Sequence, residues 1–439
     1  MTLDEESLIV ACCSDIAGQV RGKAFPARQL ENRMRRGIGW TPTNVQITCF
    51  DNIAESPFGS FGDLLLMPDS NASVNVFYQN DLPPERFIIC DIKHTDGNPW
   101  ECCTRSILNL ALQRLQGASG LKLSSAFEHE FQFRNVESPL GSAFSFAGIR
   151  AQREFGETLV STLNAARLQP DTFLREYGRD QYEITIAPQC GIKSADHAVI
   201  LRELTRATAE RQGQSISFTP LRDPNQVGNG VHIHMSFIDE HGDPTTYDPT
   251  SATGLSDVAG SFVAGILKYL NSIVALTAPS AVSYKRLTPH RWSAAFNNLG
   301  SRDREAAVRI CPVSELSDIN KAAQYHFEFR AADAAASPYL QLAALVHAGT
   351  QGIEDTLPTP LATEKDLSSL AAAELVNHGY VRLPENLENA LNLLASNDTV
   401  ERWFPSSFIE VYLKHKRGEL EYLKGKDEAE MFAAYEQVY

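Results

Sequence analysis

The sequence has fewer basic than acidic residues, no spaced cysteine framework and no known phosphate-binding loop, and each of these features argues against a class of protein. It has 39 Lys and Arg and 54 Asp and Glu, which gives a net charge of −15. This charge argues against general binding to nucleic acid or anionic membranes. The eight cysteines form no CxxC pair and no spaced framework, so we expect the reduced thiols of a cytoplasmic protein. Since neither a Walker A motif nor a kinase-type glycine loop is found, any nucleotide phosphates need other ligands.

Signals for export or membrane insertion are also missing. The N-terminal MTLDEESLIVACCSD is acidic and has no basic region followed by an apolar core, so no signal peptide is expected. The most apolar stretch, SFVAGILKYLNSIVALTAP, contains Lys268, Asn271 and Ser272, which favours a buried or amphipathic helix over a membrane span.

Length and turn signals predict two domains, because 439 residues exceed what one ordinary core holds. The turn sequence DGNPW at 96–100 places the boundary, giving domains 1–96 and 97–439. The first domain reads as short strands, including a pair around a turn at Gly18. Helices are predicted in ECCTRSILNLALQRLQGASG and over 194–212, 256–277, 338–356, 385–397 and 406–423, with strands between them. The fold class is therefore α+β.

Four predicted strands carry ionisable residues at alternate positions of an apolar pattern. They are AFEHEFQF with Glu128 and Glu130, QYEITI with Glu183, VHIHMSF with His232, His234 and Ser236, and YHFEFRA with Glu328 and Arg330. Side chains alternate across a strand, so each alternating pair shares a face. One such strand alone is better explained by a solvated face, but solvated faces usually mix Lys, Thr and Ser with Glu.

Crowded carboxylates repel each other unless a cation neutralises them. A Glu and His set without thiolate suits Mg²⁺ or Mn²⁺, and several carboxylates suggest more than one ion.

A basic cluster follows in SYKRLTP and SRDREAAVRI, with Lys285, Arg286, Arg302, Arg304 and Arg309. Taken alone, it is equally consistent with a charged surface and with a site for phosphate or carboxylate groups. Beside a predicted metal site, it favours nucleotide-dependent chemistry.

These motifs, taken in order, resemble the glutamine synthetase family over nearly the whole chain. SDIAGQVRGKAFP and GDLLLMPD resemble its N-terminal domain; FEHEF, REYGRDQYEI, GNGVHIHMSF, SYKRLTP, REAAVRI and FEFRAADAAASPYLQLAAL follow in family order. The resemblance implies a β-grasp-like N-terminal domain and a catalytic domain whose curved antiparallel sheet forms a funnel surrounded by helices. It also implies a homo-oligomer of stacked rings, usually a dodecamer, with active sites between subunits.

The resemblance further implies ATP, glutamate and two or three Mg²⁺ or Mn²⁺ ions as ligands. The ions would be held by Glu130, Glu176 and Glu183 at one position and by Glu128, His232 and Glu328 at the other. Nucleotide and phosphate contacts would come from His234, Ser236, Arg304 and Arg309, and glutamate contacts from Gly228, Arg286 and Arg330. Arg286 and Arg304 would also act at the reacting groups.

Departures from the family pattern concern the nitrogen nucleophile. The FDGSS segment of ammonia users is replaced by CFDNIAESPFGSFGD, in which Asp51 is the nearest equivalent of the ammonium-binding aspartate, and Trp292 stands at the place of the flap glutamate. An indole instead of a carboxylate favours a larger, less polar amine than ammonium. We therefore predict a glutamate–amine ligase with Asp51 and Trp292 near the reacting groups, and Asp51 or Glu55 as proton acceptor. An ammonia-using glutamine synthetase and an inactive structural or regulatory relative are the alternatives.

Overall fold

A five-stranded sheet forms the N-terminal part of the computed structural model, which describes residues 5–78, 82–134, 136–138, 140–316 and 320–439. Its strands are β1 (Leu8–Ser14), β2 (Val20–Pro26), β3 (Ile38–Trp40), β4 (Leu64–Val76) and β5 (Glu85–His94), in the order β2-β1-β5-β4-β3, with helix α1 (Leu30–Arg36) beside β4. The predicted pair around Gly18 is confirmed as β1 and β2. Gly18 has φ of +71°, and a Cβ there would lie 2.9 Å from the carbonyl oxygens of Ala335 and Ala336, so only glycine fits this turn.

A ten-stranded sheet forms the second part. Its strands are β6 (Lys122–Phe133), β7 (Pro170–Arg175), β8 (Gln181–Ile186), β9 (Gln189–Cys190), β10 (Ile216–Ser217), β11 (Val231–Ile238), β12 (Leu299–Gly300), β13 (Val308–Ile310), β14 (Phe327–Phe329) and β15 (Ala362–Thr363). The main path runs β15-β12-β13-β14-β11-β6-β8-β7, and β9 and β10 pair with β6. The expected antiparallel arrangement holds for the central strands, but β12 pairs in parallel with both β13 and β15 at one edge.

The other helices lie between β5 and β6, between the strands of the second part and after its last strand. They are α2 (Thr104–Ser119), α3 (Phe146–Ala151), α4 (Arg153–Ala165), α5 (Ile192–Arg211), α6 (Asp257–Thr277), α7 (Ser283–Arg286), α8 (Lys321–Gln324), α9 (Pro338–Glu354), α10 (Ala372–His378), α11 (Leu387–Ala395), α12 (Asp398–Glu401), α13 (Phe408–Leu423) and α14 (Glu428–Val438). Three 3₁₀ turns lie at Ala27–Gln29, Pro42–Gln46 and Leu367–Ser369. All six predicted helices are confirmed as α2, α5, α6, α9, α11 and α13. The other helices were not predicted; the longest of them are α4 and α14, and the rest have four to seven residues each, namely α1, α3, α7, α8, α10 and α12.

Helix α6 is long and apolar enough to cross a membrane by length and composition alone, but 67% of its most apolar window is buried inside the fold. It packs against α9, and its buried residues belong to the main hydrophobic core. The expectation of a buried helix is thus confirmed.

A buried arginine fixes the first sheet against the second part. Arg105 of α2 donates to Asp69 of β4 at 2.7 Å, to Asp91 of β5 at 2.9 Å and to Asp196 of α5 at 2.9 Å. The Arg105 side chain is 5% exposed. Because water cannot solvate its positive charge there, the three carboxylates compensate it.

Candidate active site

Strand register brings the ionisable residues of four strands together. Glu128 of β6 lies opposite His232 of β11, and Glu130 of β6 lies opposite Glu183 of β8. Glu328 of β14 lies opposite His234. Alternation along each strand then places these side chains on the same face of the sheet.

The other face explains why this register is kept. Phe127, Phe131, Ile233 and Phe329 are fully buried there. A slip of one residue would expose this apolar set and bury the carboxylates, so the core fixes the site geometry.

Glu128, His232 and Glu328 form the first group of converging ligand atoms, all within 4.8 Å of one another. His232 Nδ1 lies 2.9 Å from Glu128 Oε2. Burial would raise the pKa of Glu128, but hydrogen bonds from His232 and His234 outweigh it and hold that pKa well below its usual range. Burial likewise opposes ionisation of Glu328, yet Arg330 and the neighbouring histidines lower its pKa to about 2. Both carboxylates are therefore ionised at neutral pH.

Glu130, Glu183 and His232 form the second group, again within 4.8 Å. Glu130 accepts hydrogen bonds from Gln181 Nε2 at 3.0 Å and from the Gly230 N–H at 2.7 Å. Burial, together with Glu128, Glu130 and Glu176, raises the pKa of Glu183 to about 11. His232 belongs to both groups, so one imidazole stands between two carboxylate clusters.

Glu176 lies at the edge of this arrangement. Burial and the nearby Glu130 raise its pKa to about 7, and it accepts a hydrogen bond from the N–H of Tyr177 at 3.1 Å. Among the described residues it joins neither compact group, although it lines the same cavity.

The donor set fits divalent cations. Without a neutralising charge, the crowding raises the pKa of Glu183 and Glu176, and a cation would relieve that repulsion. Carboxylate oxygens with a single imidazole suit hard ions such as Mg²⁺ and Mn²⁺.

All of these groups line one cavity of about 610 Å³, together with Gly228, Arg286, Arg304, Arg309 and Arg330. Arg309 and Arg330 donate to Glu328 at 2.8 and 3.0 Å, and Arg286 donates to the Ala332 carbonyl at 2.6 Å. Within the described part of the chain, the buried Nε atoms of Arg286, Arg309 and Arg330 have no hydrogen-bond partner. These four arginines, which line one cavity, offer forked N–H donors and positive charge to anionic groups bound there.

Gly228 approaches the wall of this cavity closely. A Cβ there would lie 2.2 Å from the Pro220 carbonyl oxygen and 2.9 Å from Arg286 Cδ, so a larger residue would displace Arg286. The Gly228 carbonyl accepts from Gln181 Nε2 at 2.9 Å, which ties it to Glu130.

Trp292 stands at the mouth of the cavity, in a loop of unusual backbone geometry. His290 and Trp292 have φ of 62° and 56°, in the left-handed region that non-glycine residues rarely adopt. The Glu305 carboxylate accepts both of their backbone N–H groups, at 3.0 and 2.9 Å. Arg330 Nη2 also donates to the Trp292 carbonyl at 3.3 Å. These bonds hold the loop backbone at position 292 and do not involve the indole ring.

An aromatic rim surrounds that indole, and we define it as Phe144, Tyr177 and Trp292. Trp292 and Tyr177 are stacked, with centroids 5.2 Å apart and planes at 22°; Phe144 meets Tyr177 edge-on at 4.8 Å. All three rings are exposed and all three line the cavity. Exposed aromatic rings grouped around a cavity mouth are typical of binding surfaces.

Three predicted site residues, Ser236, Asp51 and Glu55, lie outside this cavity. Ser236 faces a second cavity of about 460 Å³, which His234 and His326 also line. Asp51 is exposed, with a weak ion pair to Arg21 at 3.5 Å, and Glu55 pairs with Lys414 at 2.8 Å; neither lines the cavity of its own chain.

Several site residues were missed at the sequence level. Gln181 carried a signal, because it lies two positions before Glu183 on the same strand face. Phe144, Arg291 and Cys311 carried none, because loops bring them to the cavity.

A cavity that brings crowded carboxylates beside several arginines has the chemistry to hold divalent metal ions and anionic substrates. Comparison with known proteins specifies the class: the glutamine synthetase N-terminal domain matches residues 2–100, and the glutamine synthetase catalytic domain matches residues 101–435. The chain belongs to the glutamine synthetase family and is thus an ATP-dependent carboxylate–amine ligase.

Individual relatives agree with this assignment. Gamma-glutamylpolyamine synthetase GlnA3 from Streptomyces coelicolor is 29% identical, over 98% of this chain and 93% of its own. Type-1 glutamine synthetase 1 from Dictyostelium discoideum is 28% identical, over 93% and 86%. A crystal structure of a glutamine synthase homolog covers all of both chains at 38% identity with a TM-score of 0.91. The fold of GmaS without ligand is also similar, with a TM-score of 0.81 at 23% identity over 96% and 94% of the two chains.

Proposed function

We propose that this protein joins the γ-carboxylate of glutamate to a primary amine with a hydrocarbon body, using ATP. The observation that carries the proposal is the aromatic rim, where an indole stacked on Tyr177 occupies the mouth of the cavity. Ammonium is small and strongly hydrated and gains nothing from such a surface, whereas an alkyl or aryl amine buries apolar area on it.

The substrate carboxylates and phosphates are assigned to the arginines. Arg286 and Arg330 would hold glutamate. Gly228, which contacts Arg286 and accepts a hydrogen bond from Gln181, would complete the glutamate-binding part of the cavity. Arg304 and Arg309, together with His234, would hold the ATP phosphates. All four arginines line the cavity, which supports their use as ligands for anionic groups.

The reaction then follows in two steps. The γ-carboxylate of glutamate attacks the γ-phosphorus of ATP, forming γ-glutamyl phosphate and releasing ADP. The amine nitrogen attacks the acyl carbon, phosphate leaves, and the nitrogen loses a proton. The first step brings two anions together, so preorganised positive charge from Arg304, Arg309 and Arg330 lowers its barrier.

The metal ligands are proposed to be Glu130, Glu176 and Glu183 for one ion and Glu128, His232 and Glu328 for the other. Bound divalent ions supply further charge neutralisation between the two anions. Gln181 keeps Glu130 oriented through its 3.0 Å hydrogen bond, and Arg309 and Arg330 orient Glu328.

We further propose stacked rings with sites between subunits. Asp51 lies outside the cavity of its own chain, so it would reach the amine only from a neighbouring copy. In that position its carboxylate would accept the proton that the amine loses.

The test is ADP release with ATP, Mg²⁺, glutamate and a panel of nitrogen nucleophiles. The panel contains ammonium, butylamine, benzylamine and spermidine, the last because one relative is a gamma-glutamylpolyamine synthetase. We expect the highest kcat/KM with butylamine or benzylamine. Ammonium as the best substrate would indicate an ordinary glutamine synthetase, and no glutamate-dependent ADP release with any nucleophile would indicate an inactive relative.

A further inference from the structure

A third group of converging ligand atoms lies beside the carboxylates and has a different chemistry. One ring nitrogen each of His234 and His326 and the sulfur of Cys311 lie within 4.8 Å of one another. Cys311 Sγ is 3.7 Å from His234 Nδ1, and the two imidazole centroids are 5.1 Å apart. The Cys311 N–H donates to the His326 carbonyl at 3.1 Å, so backbone pairing holds the two residues side by side.

The far nitrogen of each ring already has an acceptor. His326 Nδ1 lies 2.7 Å from the Gln324 carbonyl oxygen; a carbonyl only accepts, so Nδ1 carries hydrogen and Nε2 is the nitrogen left for a metal ion. His234 Nε2 lies 3.3 Å from Glu128 Oε2, and the same argument leaves Nδ1, the nitrogen facing Cys311, for the metal ion once any proton on it is released. A second-shell carboxylate or carbonyl on the far nitrogen is the usual support of metal-binding histidines.

We propose that His234, Cys311 and His326 form a binding site for a borderline transition-metal cation, Zn²⁺ above all, distinct from the carboxylate positions. Since zinc would occupy the remaining nitrogen of His234, this site would be filled only when His234 does not contact ATP. Tetrahedral zinc has bonds of about 2.3 Å to sulfur and about 2.0–2.1 Å to nitrogen, which sets sulfur and nitrogen about 3.5 Å apart. The observed 3.7 Å is close to that spacing. Mg²⁺ prefers oxygen ligands to sulfur or imidazole, so Mg²⁺ would bind the carboxylates and Zn²⁺ would bind the cysteine and histidines.

The binding step balances without a redox partner. A zinc–sulfur bond forms, the thiol proton passes to the buffer, and the zinc ion gives up hydration waters. Three protein ligands leave a fourth position open. It faces solvent, because His234, Cys311 and His326 line the main cavity and both histidines also line the second one.

Cobalt(II) titration of the metal-free, full-length protein under anaerobic conditions and excess Mg²⁺ tests this site. We expect one equivalent per chain to produce an intense tetrahedral visible spectrum and a near-ultraviolet thiolate-to-cobalt charge-transfer band, both removed by Zn²⁺. Proton release should accompany loading. Cobalt bound only by the carboxylates would give a weak spectrum without the charge-transfer band, and that result would overturn the proposal.

Variants distinguish the three ligands from other thiols and imidazoles. Cys311→Ser should abolish the charge-transfer band, and His326→Gln should weaken Co²⁺ binding by at least about tenfold. Cys190→Ser and His241→Gln, both at exposed positions, should leave the titration unchanged. Persistence of the band in Cys311→Ser would refute the assignment. If Cys311→Ser does not fold by circular dichroism, His326→Gln decides the outcome, and an unchanged affinity in that variant would also refute it.

Discussion

Replacing Trp292 by alanine should lower the preference for hydrophobic amines while leaving the fold intact. The indole is 47% exposed and contacts Tyr177 but no hydrophobic core. An amine lying on its free face removes on the order of 60 Å² of apolar surface from water, equivalent to about 1.5 kcal/mol at ~25 cal/mol per Å². Since ~1.4 kcal/mol is a factor of ten, we expect kcat/KM for benzylamine or butylamine to fall about tenfold.

The assay compares kcat/KM for one hydrophobic amine with that for ammonium in the same preparation. The ammonium value should change by less than about threefold, because ammonium has no hydrocarbon body to bury. Trp292→Phe should keep most of the preference, since a ring still covers Tyr177. Phe77→Ala is the matched control: Phe77 is 51% exposed, lies over Arg86 and is outside the cavity.

The result that would refute the reasoning is a Trp292→Ala enzyme that keeps the wild-type ranking of amines. A fall in kcat/KM of equal size for ammonium and benzylamine would also refute it, since that pattern indicates a displaced loop rather than a lost surface. Melting temperature should change little, because the indole is not part of the core.

Three further outcomes test the metal, proton and assembly assignments. Glu130→Ala should reduce turnover by more than about 100-fold, beyond the ~10–100-fold cost of losing an outer-shell partner of a metal ligand. Its melting temperature in EDTA should equal or exceed that of the wild type, and Glu137→Ala at an exposed position should stay active. An active Glu130→Ala enzyme would contradict the ligand set. Burial and Glu130 raise the pKa of Glu176 from 4.5 to about 7, so the metal-free protein should lose stability as pH rises from 4.5 through 7. The melting temperature of the wild type in EDTA should fall over this pH range, and the fall should be smaller with Mg²⁺ or in Glu176→Gln. The same dependence of melting temperature on pH in all three samples would be contrary evidence. Mixed oligomers of Asp51→Ala and Glu130→Ala chains should recover activity that neither variant has alone, and no recovery after verified subunit mixing would contradict shared sites.

The position of the site was predictable because it depends on strand periodicity. Alternation in AFEHEFQF and VHIHMSF places Glu128 and His232 on one face of their strands, and the apolar residues between them decide which face is buried. The observed pairing of Glu128 with His232 follows from those two patterns. The long helices were predictable for the same reason, since their apolar faces continue over several turns.

The remaining features depend on tertiary contacts. Phe144 reaches the cavity from a turn, and nothing in its neighbourhood indicates that it will meet Tyr177. The parallel pairing of β12 with β13 and β15 involves strands of two or three residues, too short for a period to be read. Helix α4 was not predicted, although Phe155, Leu159 and Leu163 are spaced for one helix face; Gly156 lowers the helix propensity of this segment.

The Glu305 carboxylate has a consequence for how specificity can change. It holds the loop through the backbone N–H groups of His290 and Trp292, so loop conformation depends on an anchor that does not involve the indole. The side chain at position 292 can therefore be replaced without loss of the hydrogen bonds that hold the loop. Under the proposed function, exchanging this ring for another would change the class of amine accepted, while the arginines and carboxylates of the cavity keep their positions.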